Sequence, residues 1–154
     1  MNYVKCNVDA ALFLEQHSFG IGMCIRNHRG HFIKAATTWH DGNPLPHEAE
    51  AIGLHDAILW LRRLGISNVH FGLDCKLVVD RTNNQAEFGN IIPICKSLLS
   101  QSLNFKISFV RRQANFVAHS LAKVSQMHAR HQMFDLVPSY IDSIVRNEIM
   151  SFCL

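Results

Sequence analysis

The stretch Tyr3–Trp39, YVKCNVDAALFLEQHSFGIGMCIRNHRGHFIKAATTW, decides the fold. Within it Val4, Cys6 and Val8 alternate with Lys5, Asn7 and Asp9, the period of two that a strand shows when one face is buried. Phe19–Asn27 alternates again through Ile21, Met23 and Ile25, and Phe32–Trp39 is a third such run. His28-Arg29-Gly30-His31 separates the last two, with Gly30 available for a positive φ. Three strands so close in sequence predict an antiparallel meander.

Asp41-Gly42-Asn43-Pro44 ends the meander. A helix is predicted from Pro46 to Leu64, because Ala51, Leu54, Ala57, Ile58, Leu61 and Leu64 fall on one face at helical spacing. Val69–Leu73 is a short apolar strand, and its place after a helix implies a crossover to a parallel neighbour. Short helices are expected at Lys76–Arg81 and Ile91–Gln101, a fifth strand at Asn104–Val110 and a helix at Ala114–Val124. Pro138–Met150 places Ile141, Ile144, Val145 and Ile149 at helical spacing. The order βββαβααβα plus a C-terminal tail helix predicts an α/β domain, a five-stranded mixed sheet flanked by helices. That domain is expected to span 1–125, with 126–154 a connector and C-terminal helix.

At 154 residues the chain holds one domain's worth of core, and 48% hydrophobic with 18% charged residues excludes disorder and a coiled coil. No apolar run reaches ~18 residues, so no membrane span is expected. MNYVKCNVDA has no cationic segment leading into an apolar one, so no signal peptide is expected. Five scattered cysteines read as reduced thiols, which points to an intracellular protein, cytoplasmic or nuclear. A monomer is expected. The net charge of +3 permits a polyanionic partner without requiring one.

The chemistry gathers in three carboxylates. Asp9 faces opposite to Val4, Cys6 and Val8, and Asp74 ends the fourth strand, where parallel sheets place their sites. On the intervening helix, Glu50 lies four residues before Leu54, close to the centre of the apolar face, whereas Glu48 lies off it. A carboxylate on that side is costly unless paired or on a metal. Glu48 remains the alternative register. Converging carboxylates suit Mg²⁺ or Mn²⁺, and two such ions ~4 Å apart support attack of water on a phosphodiester. The competing reading makes Asp9 an exposed strand residue and Asp74 a helix cap. Cys24, His28 and His31 group around a turn, but no fourth ligand follows at zinc-finger spacing.

Six motifs in collinear order resemble type 1 ribonuclease H, and in particular the plant ribonuclease H-like group related to non-LTR retrotransposon reverse transcriptases. NVDAAL resembles N-V-D-G-A, and GIGMCIRNHRGHFI resembles G-x-G-x-V-I-R-D-x-x-G-x-F. EAEAIGLHDAI resembles E-A-E-A-L-A-L-R-E-G-L, and VHFGLDCKLVV resembles V-x-x-E-S-D-S-x-x-V-V. FVRRQANFVAHSLAK resembles V-x-R-x-A-N-x-V-A-D-x-L-A-K, and FDLVPSYIDSIVRNE resembles the tail of these proteins. The resemblance implies a ribonuclease H-like fold and metal-dependent endonucleolytic cleavage of the RNA strand of RNA–DNA hybrids. It makes Asp9, Glu50 and Asp74 the catalytic metal ligands for two ions, Mg²⁺ or Mn²⁺. His119 stands where the family carries a fourth carboxylate, as a weak ligand of the second ion or a proton carrier. Ala10 replaces a glycine and Cys75 a serine of the pattern. The alternative is a retroelement-derived nucleic-acid-binding domain, catalytically weak or inactive.

A hybrid is recognised by shape, phosphates and 2′-hydroxyls. Lys76, Arg81, Arg111 and Arg112 are the candidate phosphate contacts, and Asn83, Asn84, Gln85 and Asn115 the candidate donors to 2′-hydroxyls. Residues 82–103 carry only Glu87 and Lys96 as charges, so the basic protrusion of the most avid family members is expected to be absent.

Overall fold

The computed structural model describes residues 2–83, 91–102 and 104–152, with side chains described as far as Glu148. Asn84 and Gln85 lie outside the described residues, as do 86–90 and 103 of the segment expected to lack a basic protrusion. The elements run β1 (Val4–Phe13), β2 (Ser18–Asn27), β3 (Phe32–Asp41), α1 (Pro46–Arg63), β4 (Asn68–Leu73), α2 (Lys76–Asn83), α3 (Ile91–Ser100), β5 (Asn104–Phe109), α4 (Phe116–His128), β6 (Gln132–Phe134) and α5 (Asp142–Phe152). Among the described residues no helix is long and apolar enough to cross a membrane.

One mixed sheet is formed, in the order β5-β4-β1-β2-β3-β6. The meander β1-β2-β3 is antiparallel, and β1-β4 and β4-β5 are parallel. The expectation of five strands needs correction: Gln132–Phe134, read as connector, pairs antiparallel with Ala35–Thr37 of β3. Three residues are too few for alternation to register as a strand; backbone pairing to an open edge decides it.

Two apolar layers hold the sheet. On one face Val8, Ile21, Met23, Phe71 and Leu73 meet Leu54, Ile58 and Leu61 of α1. On the other, Cys24 and Ala35 meet Val117 and Leu121 of α4 together with Ile141 and Val145. β2 is sandwiched, and its glycines set how closely α4 approaches. A Cβ on Gly22 would lie 2.1 Å from the Ala118 carbonyl oxygen, so any larger residue would lift α4 off the sheet. Gly22 pairs with Asp9, which fixes where α4 meets β1. Near the α4 N-terminus, Arg26 of β2 is fully buried and ion-paired with Glu148 of α5.

Candidate metal centre

Strand β1 outlasts its neighbour β4. Their pairing ends at Val8 and Leu73, so Asp9 and Asp74 come next, side by side, where the ladder stops. Beyond that point the Ala10 N–H donates to Glu50 Oε1 at 3.0 Å. A side chain of α1 thus completes the edge that β4 has left. Glu48 instead accepts from Leu45 N at 2.8 Å and caps its own helix in solvent. The helical wheel therefore selected the right glutamate for the cluster.

Carboxylate oxygens of Asp9, Glu50 and Asp74 all lie within 4.8 Å of one another. Asp9 is 2% exposed and Glu50 8%. Burial, followed by the neighbouring Asp9 carboxyl, pushes Glu50 up to about 10. Burial and the Asp9 charge likewise raise Asp74, against the pull of Arg112 and His119. Glu50 Oε2 is buried with no hydrogen-bond partner in the protein. An orphaned oxygen between two carboxyls is the donor set of a hard divalent cation, so these residues fit Mg²⁺ or Mn²⁺.

His119 arrives from α4 and donates from Nδ1 to Asp9 Oδ2 at 2.7 Å. In the neutral imidazole this leaves Nε2 as the unprotonated nitrogen. The Arg112 guanidinium stands 3.3 Å from the same Nδ1, and its Nε lies 4.0 Å from Asp74 Oδ2. The cleft has a volume of about 640 Å³. Of Lys76, Arg81, Arg111, Arg112 and Asn115, the one lining it is Arg112. Lys76 and Arg111 are exposed and Arg81 is half-buried. Asn115 is not an open donor: it is fully buried, accepting from Asn7 Nδ2 at 3.0 Å and donating to Val8 O at 3.0 Å. It ties α4 to β1 one residue from Asp9. Lys123 and Gln126, not anticipated from sequence, also line the cleft. Lys123 follows His119 by one helical turn, a spacing that could have signalled it.

Residues 7–125 match the reverse transcriptase-like family. The chain belongs to that family. Among solved structures, RNase H1 from Halobacterium salinarum NRC-1 is 18% identical and superposes with a TM-score of 0.73, covering 82% of this chain and 99% of that one. The N-terminal RNase H domain of a Mycobacterium tuberculosis protein is 20% identical, with a TM-score of 0.70 and coverage of 82% and 95%. LC11-RNase H1 in complex with an RNA/DNA hybrid is 16% identical, with a TM-score of 0.68 and coverage of 78% and 94%. No curated protein sequence matches. The domain thus has an α/β ribonuclease H-like fold.

The crowded carboxyls carry a stability consequence. A folded pKa of about 10 against an ordinary 4.5 means that Glu50 supports the metal-free fold below pH ~4.5 and that this support is lost as pH rises toward ~10. In chelator at neutral pH, Glu50→Gln should therefore raise stability by ~1–3 kcal/mol, roughly 3–10 °C in Tm. It should also flatten the decline of Tm with pH and abolish the Tm gain produced by added Mn²⁺. Thermal melts across pH with and without Mn²⁺ measure all three.

Proposed function

We propose that this domain is a metal-dependent endonuclease that cleaves the RNA strand of RNA–DNA hybrids. The convergence of Asp9, Glu50 and Asp74 around the orphaned Glu50 oxygen carries the reading. The fold shared with hybrid-bound LC11-RNase H1 supports an RNA–DNA hybrid as the substrate class. Asp9, Glu50 and Asp74 would hold two Mg²⁺ or Mn²⁺ ions, with His119 at the second. Such ions supply Lewis acidity and an activated water for phosphodiester hydrolysis. Arg112 and Lys123, on the rim, hold phosphates by charge. Asn115 positions Asp9 by locking α4 to β1. His119, oriented by Asp9, can take up a proton at Nε2.

The second reading, a catalytically weak or inactive retroelement-derived nucleic-acid-binding domain, is favoured by one observation. His119 replaces a negative charge and already occupies an Asp9 oxygen. On its motif resemblance we read either version as a retrotransposon-derived plant domain and, separately, as a monomer acting in the cytoplasm or nucleus. Residues 1–125 would form the nuclease module and 126–154 its tail.

Incubating end-labelled RNA–DNA hybrid with the protein in Mn²⁺, Mg²⁺ or chelator tests the proposal. RNA-strand cleavage is expected in Mn²⁺, more slowly in Mg²⁺, and not in chelator. With three carboxylates the second ion is held by less Coulomb attraction, and imidazole suits Mn²⁺ better than Mg²⁺. His119→Asp should therefore narrow the Mn²⁺ to Mg²⁺ difference. No cleavage by either protein in either metal would leave the binding-domain reading. Hybrid binding itself should weaken steeply with salt and ignore sequence, since phosphate contacts dominate; titrations at several salt concentrations on two unrelated hybrids check this.

A further inference from the structure

The face of the sheet opposite α1 is covered unevenly. α4 packs over β1, β2 and β3. β4 and β5 send Val69, Phe71, Leu73 and Ile107 into the core on the α1 side. By strand alternation His70 of β4 and Lys106 of β5 lie on the other side, beyond the reach of α4. Register adds a third member: Lys5 of β1 pairs with His70, and His70 with Lys106. Three adjacent parallel strands thus carry two lysines flanking an imidazole. Burial and the charges of Lys106 and Lys5 hold His70 below its ordinary range. Charges of one sign set this close are costly to fold.

Two further observations give the row its chemistry. Tyr3 is stacked on His70, with ring centroids 4.2 Å apart and planes at 21°. Tyr3, Lys5 and His70 also border a hollow of about 280 Å³ that extends over Gly72 to Ser108. Lys5 and Lys106 stand two strand spacings apart, roughly 10 Å. One phosphate does not bridge that span, so the fitting ligand repeats its negative charge. An aromatic ring fixed beside the cations selects, among polyanions, one that carries flat bases it can stack.

We propose that Lys5, His70 and Lys106 bind the phosphate backbone of a single-stranded nucleic acid, with Tyr3 as the platform for one base. The bases of a duplex are already stacked on one another, which is why the ligand is a single strand. The surface is separate from the acidic cleft, and the proposal stands whether or not the cleft is hydrolytic.

The test is fluorescence anisotropy of a short labelled single-stranded oligoribonucleotide, in chelator, at several salt concentrations. Lys5→Ala/Lys106→Ala should weaken binding about tenfold or more and lower the salt slope by about 1.4, roughly 0.7 per lysine on a single strand. Tyr3→Ala should weaken it about tenfold with the slope unchanged. Lys5→Arg/Lys106→Arg, which keeps both charges, should bind as wild type. Thermal melts of both pairs check that each variant folds. Wild-type affinity and slope in the alanine pair would overturn the proposal, as would loss of binding in the arginine pair. If Tyr3→Ala changes nothing and dextran sulfate competes as well as RNA, the surface is a general polyanion site and the nucleic-acid assignment falls.

Discussion

Asp9→Asn is expected to lower hybrid cleavage by more than ~10³-fold while leaving the fold intact. Asp9 is the carboxylate on which the cluster is built: it faces Glu50 and Asp74, and it accepts from His119 at 2.7 Å. Asparagine keeps its shape but removes one of three negative charges and one oxygen donor. Loss of a group that merely orients a metal ligand costs ~10–100-fold, so loss of a carboxylate that would itself hold the metal should exceed that. The stability change has the opposite sign. Asp9 is a principal cause, after burial, of the raised Glu50 carboxyl. Without its charge, less repulsion is stored in the metal-free fold, and Tm in chelator should rise by a few degrees. A dead enzyme that melts higher is the signature of a functional site held at the expense of stability. Glu48→Gln is the matched control. It alters the neighbouring carboxylate, which caps α1, and should leave cleavage within about threefold. Steady-state cleavage rates and melts on the two variants decide the matter. Equal losses in both would mean that the glutamate register or the cluster's role is wrong.

The legible part of this protein is the part governed by periodicity. Alternation in Val4–Val8 placed Asp9 on the face opposite the α1 core, and the 3.6-residue repeat through Leu54, Ile58 and Leu61 turned Glu50 rather than Glu48 toward the sheet, where the two meet past the end of β4. Strand β4 was readable as a parallel neighbour because a helix preceded it. What escaped was set by tertiary contact alone. β6 is a three-residue strand that exists because β3 offers an edge. Asn115 looks like any polar loop residue until its amide is found spanning Asn7 and Val8. Arg26 sits in an alternating strand at a position a sequence reader would assign to solvent, and it is fully buried. Its partner is 122 residues away, and no local pattern encodes that distance.

That partnership makes Glu148→Ala the most damaging substitution expected outside the acidic cluster. Glu148 Oε2 pairs with the Arg26 guanidinium, and Oε1 accepts from Val117 N at 2.9 Å, in the first turn of α4. Arg26 is 0% exposed and Glu148 3%. Burial holds the Glu148 carboxyl above its ordinary range even though Arg26 pulls the other way. Desolvation therefore outweighs the attraction, as is common for buried pairs. The pair is consequently a weak source of net stability and yet expensive to break. Truncation to alanine leaves a guanidinium in the core without this carboxylate and strips an acceptor from the α4 N-terminus. The expected loss is ~3–5 kcal/mol, a large share of the ~5–15 kcal/mol that holds a domain of this kind together. Glu148→Gln keeps the shape and an acceptor for Val117, so it should fall between wild type and alanine. Arg26→Met/Glu148→Leu should recover much of the loss, since the desolvation cost vanishes with the charges while the acceptor for the Val117 and Phe116 N–H groups stays missing. Denaturant melts of Arg26→Met, Glu148→Leu and the double variant close the cycle, beside those of Glu148→Ala and Glu148→Gln. If Glu148→Ala costs less than ~1 kcal/mol, the tail does not anchor the sheet. If it costs as much as expected, cleavage per folded molecule should fall too, because Val117 and His119 share the first turns of α4 and a loosened N-terminus lets His119 drift from Asp9.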